Sequence, residues 1–185
     1  GVSIVATTNM MMTARGPMFL SDTAININPT ADDLAKIAIM TSNAAKMFGV
    51  EPVIAMVSYS NFGSSTNEGA AKVREAVAYL HKNHPELIVD GEIQADFALN
   101  QDMLEKKFPF SKLAGKKVNT LIFPNLESAN ITYKLLKELN FKDMKSVSTP
   151  WEVNSTSLKG DEVKVDKLEY LRLLGLLNYL AVFTR

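Results

Sequence analysis

The 185-residue chain contains no cysteine, which excludes disulfides, thiolate metal sites and a cysteine nucleophile. It has no net charge either. Lys and Arg total 20, as do Asp and Glu, so no long-range field draws it to nucleic acid or an anionic membrane. No apolar run approaches the roughly 18–20 residues that span a bilayer. Leu171 to Phe183 comes nearest, but it is short and carries Arg172, Gly175 and Asn178. The N-terminus lacks a basic stretch followed by an apolar core, so no signal peptide is read and a cytoplasmic location is expected. Arginine is scarce: Arg15, Arg74, Arg172 and Arg185 are the whole set. The two histidines, His81 and His84, have no further His or Cys with which to complete a zinc site, and are expected to face solvent at a helix end. The length suits one domain, or one and a fraction, with a real core.

Apolar runs and breakers set out the elements. Val2–Thr8 and Asn9–Met12, then Gly16-Pro17 and Met18–Leu20, read as a β-hairpin. A chain starting directly in a strand suggests a piece of a longer polypeptide. Thr30 can cap a helix whose first turn holds Asp32 and Asp33, whose apolar face runs from Leu34 to Phe48, and which stops at Gly49. Val53–Val57 is a buried strand. A second helix carries Val73, Ala76, Val77 and Leu80 and ends at His84-Pro85. Leu87–Val89 is a short strand that breaks at Asp90-Gly91, followed by a helix from about Asp96 to Lys107. Val118–Phe123 is the next strand and Leu126–Leu139 the next helix. Helices alternating with continuous apolar strands predict a mainly parallel sheet covered on both faces. Beyond Asn140 the chain turns polar and breaker-rich, then regains apolar periodicity at Leu168, Leu171, Leu174 and Leu177. The division expected is an α/β domain over 1–145 and an atypical C-terminal segment over 146–185.

Two strand-to-loop junctions hold the candidate chemistry. Ser58-Tyr59-Ser60-Asn61-Phe62-Gly63-Ser64-Ser65 could present main-chain N–H groups to phosphate or carboxylate, with Gly63 allowing close approach. It is neither a Walker A loop nor a dinucleotide fingerprint, since their spaced glycines are missing. An ordinary strand-to-helix connection has the same composition. The second junction is Phe123-Pro124-Asn125-Leu126-Glu127-Ser128-Ala129-Asn130. Asp90-Gly91-Glu92-Ile93-Gln94-Ala95-Asp96 adds carboxylates that suit a divalent metal or acid–base work, and equally a turn with helix caps.

In order and spacing these three segments, with Phe19-Leu20-Ser21-Asp22-Thr23-Ala24-Ile25-Asn26 and Asn28-Pro29 upstream, resemble the phosphate acetyl/butyryl-transferase family over roughly Gly1 to Leu139. Within it, Ser58–Ser64 and Val118–Phe123 are similar to the carboxy-terminal acyltransferase-like domain of bacterial NADP-dependent malic enzymes. The resemblance implies a three-layer α/β/α sandwich with a mainly parallel sheet, like isocitrate and isopropylmalate dehydrogenases, contributing mostly the second of two subdomains. It implies acyl-CoA or acyl phosphate in the cleft. The site residues expected are Ser60, Asn61, Gly63 and Ser64 on the anion-facing edge, with Gln94, Asp96, Asn125 and Asn130 framing the neighbouring strand ends.

Active family members carry an Asp-Leu-Ser-Arg-Gly stretch beyond the Leu139 region, and this sequence has no Ser-Arg pair there. No catalytic residue and no metal ligand is therefore expected in the chain. The expected role is a non-catalytic regulatory and oligomerisation domain of an NADP-dependent malic enzyme, sensing acetyl-CoA and forming a homo-oligomer. NADP and a divalent metal would belong to the parent enzyme. The alternative is a phosphate acetyltransferase moving an acetyl group between coenzyme A and phosphate.

Overall fold

The computed structural model describes residues 4–13 and 15–140, with Asn140 through its backbone alone. The segment 146–185 lies outside them. The hairpin pairs β1 (Thr8–Thr13) with β2 (Gly16–Ser21) antiparallel, Thr13 facing Gly16 across the turn. The first strand is shorter than its apolar run suggests. Thr7 gives its N–H (3.0 Å) and hydroxyl (2.6 Å) to the Asp22 carboxylate, so this residue is tied to a side chain rather than to a strand.

The parallel part follows as α1 (Ala31–Met47), β3 (Val53–Val57), α2 (Glu68–Asn83), β4 (Ile88–Ile93), α3 (Ala95–Leu99), α4 (Gln101–Lys107), β5 (Thr120–Ile122) and α5 (Leu126–Asn140). The five strands stand in the order β1-β2-β5-β3-β4, and β2, β5, β3 and β4 run parallel. Alternate residues of β3 and β5 enter opposite cores. Ile54, Met56 and Ile122 pack with Leu34, Ile37, Val73 and Leu80 of α1 and α2. Val53, Ala55, Val57, Leu121 and Phe123 pack with Ala98, Leu104, Leu113 and Ala129 on the other face. The result is a three-layer α/β/α sandwich, and burial on both faces is why its central strands read as unbroken apolar runs.

Thr30 begins α1 as the sequence suggests: its hydroxyl accepts the Asp33 N–H at 3.2 Å while the Asp33 carboxylate accepts the Thr30 N–H at 3.0 Å. This reciprocal capping box satisfies two of the helix's free donors. Thr30→Ala should destabilise the fold by about 1 kcal/mol. Urea denaturation checks it, with an unchanged midpoint as the contrary result.

Two expectations need correction. The strand before Asp90-Gly91 does not break there; β4 continues through both residues to Ile93. Gly91 takes φ +146°, and a Cβ at this position would lie 2.5 Å from the Met56 carbonyl oxygen. Glycine thus lets the β3 and β4 backbones approach, and the register shifts between Met56 and Val57. The helix after it is split as well. Asn100 separates α3 from α4, its Oδ1 accepting the Met103 N–H at 3.1 Å.

Candidate functional site

Chain order and sheet order together locate the site. From β3 the chain passes to α2 on one face, and from the adjacent β5 to α5 on the other. Neighbouring parallel strands whose connections leave in opposite directions make a topological switch point, where open α/β sheets bind ligands. The loops at this point are the two junctions singled out from the sequence.

The Ser58–Ser65 loop is folded around one carboxylate. Glu92, wholly buried in β4, accepts at Oε1 from the Ser60 hydroxyl (2.8 Å), the Gly63 N–H (2.9 Å) and Arg74 Nη1 (2.8 Å). Because the Ser60 proton goes to Glu92, the 2.9 Å contact between Ser60 and Ser64 is supplied by the Ser64 proton. Ser60 Oγ also accepts the Ser65 N–H at 3.0 Å, and Ser64 Oγ accepts the Asn61 N–H at 2.9 Å. Asn61 and Gln94 bond twice: Asn61 Nδ2 donates to Gln94 Oε1 (2.6 Å) and Gln94 N–H to Asn61 Oδ1 (2.8 Å). The Gln94 amide also donates to the Tyr59 carbonyl at 2.7 Å. Ser60, Asn61, Gly63, Ser64 and Gln94 are therefore one hydrogen-bonded unit.

This differs from the loop expected to offer its main-chain donors to an anion. The N–H groups of Asn61, Phe62, Gly63, Ser64 and Ser65 all end on acceptors within the unit. Serine hydroxyls and a buried carboxylate supply those acceptors, so what faces outward is mainly side-chain polarity. Phe62 adopts φ +44°, held by ring contacts at 5.0 Å to both Phe108 and Phe110. Aromatic packing thus fixes the loop from the side.

A second unit lies at the carboxyl ends of β2 and β5. Asn125 caps α5, its Oδ1 accepting the Ser128 N–H at 2.9 Å. Asn130 Nδ2 donates to the Thr23 carbonyl at 3.1 Å, joining α5 to the loop after β2. That loop is wound around Asp22, whose two oxygens accept six hydrogen bonds from Thr7, Ala24, Ile25 and Asn26. Burial raises the Asp22 pKa, but the bonds from Thr7, Asn26 and Ala24 outweigh it and hold the carboxyl below its ordinary value.

Of the other acidic and imidazole candidates only His81 and Asp90 approach each other, with His81 Nε2 3.7 Å from Asp90 Oδ1. Asp96 is exposed in the first turn of α3. Asp90 spends Oδ2 on Ser111 Oγ and the Lys112 N–H, both at 2.8 Å, and Oδ1 on the Gly91 N–H. His81 is partly exposed but not free as expected: its Nε2 lies 2.8 Å from the Val89 carbonyl oxygen, against β4. His84 does end α2. Among the described residues no group of three His, Cys, Asp or Glu side chains could hold a metal ion.

Sequence reasoning passed over Glu92 and Arg74 as site residues. The signal was hidden by the strand's expected break at Asp90-Gly91; only with β4 running on to Ile93 does Glu92 become a buried charge that needs a partner.

A profile of the phosphate acetyl/butaryl transferase family matches residues 1–144. The chain is 41% identical over 137 residues to the NADP-dependent malic enzyme of Haemophilus influenzae, covering 74% of this chain and 18% of that protein. It is 43% identical over 139 residues to the phosphate acetyltransferase of Bacillus subtilis, covering 74% and 43%. The EutD phosphotransacetylase from Staphylococcus aureus superimposes with a TM-score of 0.70 at 36% identity, covering 75% of this chain and 43% of that one. The chain thus spans 18% of the malic enzyme and 43% of the acetyltransferase it matches. Matched over most of its length and sharing the relatives' sheet, the chain belongs to the phosphate acetyl/butaryl transferase family.

Proposed function

We propose that this chain is a ligand-binding, non-catalytic domain of an NADP-dependent malic enzyme that senses acetyl-CoA. The parent would decarboxylate malate oxidatively to pyruvate, with NADP and a divalent metal held by parts outside this chain. The observation that carries the reading is the commitment of Arg15 and Arg74, the arginines among the described residues. Arg74 directs Nη1 to Glu92 (2.8 Å) and to the Ser65 carbonyl (3.3 Å), and Arg15 directs Nη1 to the Leu99 carbonyl (2.6 Å). Acyl transfer to phosphate needs charge placed where the oxyanion develops, and here the guanidinium beside the loop neutralises a buried carboxylate instead. The absence of a Ser-Arg pair from the sequence supports the same view. Self-association belongs to this proposal, and α5 supports it by exposing Ile131, Leu135 and Leu139 at helical spacing. No helix among the described residues is long and apolar enough to cross a membrane. A cytoplasmic setting is part of the proposal.

A second reading, phosphate acetyltransferase, is favoured by the equal similarity to the Bacillus subtilis enzyme. Calorimetric titration with acetyl-CoA tests the first. Asn61→Ala and Asn130→Ala should each weaken binding about tenfold, the worth of one well-placed hydrogen bond, with a stability loss of about 1 kcal/mol for the internal bonds removed. Loss of stability without loss of affinity would make both residues structural.

A further inference from the structure

The geometry points to Glu92 as the positioning residue of the ligand-binding edge. It holds the Ser58–Ser65 loop in one conformation through a single oxygen. The acetyl-CoA part of this inference rests on the function proposed above; the positioning part does not.

The arrangement is lopsided in a way that stability alone does not explain. Oε1 gathers three donors from three places: Ser60 at the start of the loop, Gly63 at its turn and Arg74 on α2. Oε2 is equally buried and has no partner among the described residues. A buried charge with one oxygen unpaired is costly, and apolar residues in place of the whole Glu92–Arg74 pair are often no worse for stability. What the carboxylate supplies is convergence. Each donor alone leaves the loop free to pivot, whereas three donors on one atom define its path from Ser60 to Gly63.

Backbone bonds from both sides strengthen this: Ser58 N–H donates to the Ile93 carbonyl and Phe62 N–H to the Glu92 carbonyl. Gly63 is also placed with the Arg74 guanidinium beside it, 3.8 Å from where a Cβ would stand. The loop is thus pinned to β4 at the residue whose side chain organises its interior. Asn61, which bonds Gln94 just past β4, lies between the two pinned positions. Glu92 acts on the ligand only through these residues.

Amide hydrogen exchange on the full chain tests the positioning directly, with Glu92→Leu removing the acceptor and Glu92→Gln preserving it. In Glu92→Leu the Gly63 and Ser65 amides should exchange about tenfold faster or more, the loss of one charge-assisted bond, while Ile54 and Leu121 keep wild-type protection. Glu92→Gln should stay within about threefold of wild type at Gly63. Arg74→Met, which leaves Glu92 its Ser60 and Gly63 donors, should give an intermediate loosening. Unchanged Gly63 exchange in Glu92→Leu would overturn the inference. So would equal acceleration at Ile54 and Leu121, or a Gln variant as loose as the Leu variant. Acetyl-CoA titration on the same samples should show about tenfold weaker binding in Glu92→Leu. Failure of the wild-type chain to bind acetyl-CoA would count against the proposed function and leave the exchange result standing.

Discussion

Gly91→Ala is expected to cost the fold more than about 4 kcal/mol, enough to unfold a marginal domain. Two penalties act together. The backbone holds φ +146°, a region closed to L-residues with a Cβ, and the new methyl would meet the Met56 carbonyl oxygen at 2.5 Å and the Met56 Cβ at 3.0 Å. Met56 is wholly buried in the central part of the sheet, between β4 and β5, so it has nowhere to retreat without parting β3 from β4. Chemical denaturation, or the soluble yield if the variant fails to fold, reads the effect. A loss below about 1 kcal/mol would mean that the close approach relaxes cheaply. The same geometry serves the site, because Glu92 is the next residue and its direction depends on how the strand passes Gly91.

Asp22→Ala should destabilise by about 3 kcal/mol. The carboxylate is nearly buried and organises the whole turn after β2, so its removal leaves the N–H groups of Ala24 and Asn26 and the Thr7 hydroxyl without their acceptor. The effect carries a pH signature. The folded-state pKa lies below the ordinary 3.8, so the charged form is favoured by folding. The contribution is then present in full above the unfolded-state value and is lost as pH falls through the folded one. The gap in stability between wild type and Asp22→Ala should therefore be constant near neutrality and narrow below about pH 4. Asp33 shifts the same way, chiefly through its bond from Thr30, but it is only partly buried and adds little. Urea denaturation at neutral and acid pH separates the cases, and a gap that widens on acidification would contradict the assignment.

The alternation of elements was legible because its cause is local. Thr30 is a cap wherever it stands before a helical face, and Val53–Val57 is apolar throughout because helices cover both faces of the sheet. The continuation of β4 was not legible. Asp-Gly is a turn signal in isolation, and only the neighbouring Met56 backbone turns Gly91 into a strand residue. The inward use of the Ser58–Ser65 donors was hidden for a similar reason, since its acceptor lies on another strand almost 30 positions along. His81 looked free at a helix end until the chain returned along β4 to give its ring the Val89 carbonyl. Contacts between separate elements account for each of these differences, at long sequence separation for Gly91 and the loop and at eight residues for His81. The capping role of Asn125 follows a local rule and could have been read from the sequence.

The central claim is that this edge binds without transferring. Coenzyme A and acetyl phosphate should be mixed with the purified chain, and thioester formation followed by its ultraviolet absorbance, on a sample shown by calorimetry to bind acetyl-CoA. The account predicts measurable binding and a thioester rate equal to the protein-free blank. A rate above the blank that scales with protein concentration and falls in Asn61→Ala would contradict it and make the chain an acetyltransferase in its own right.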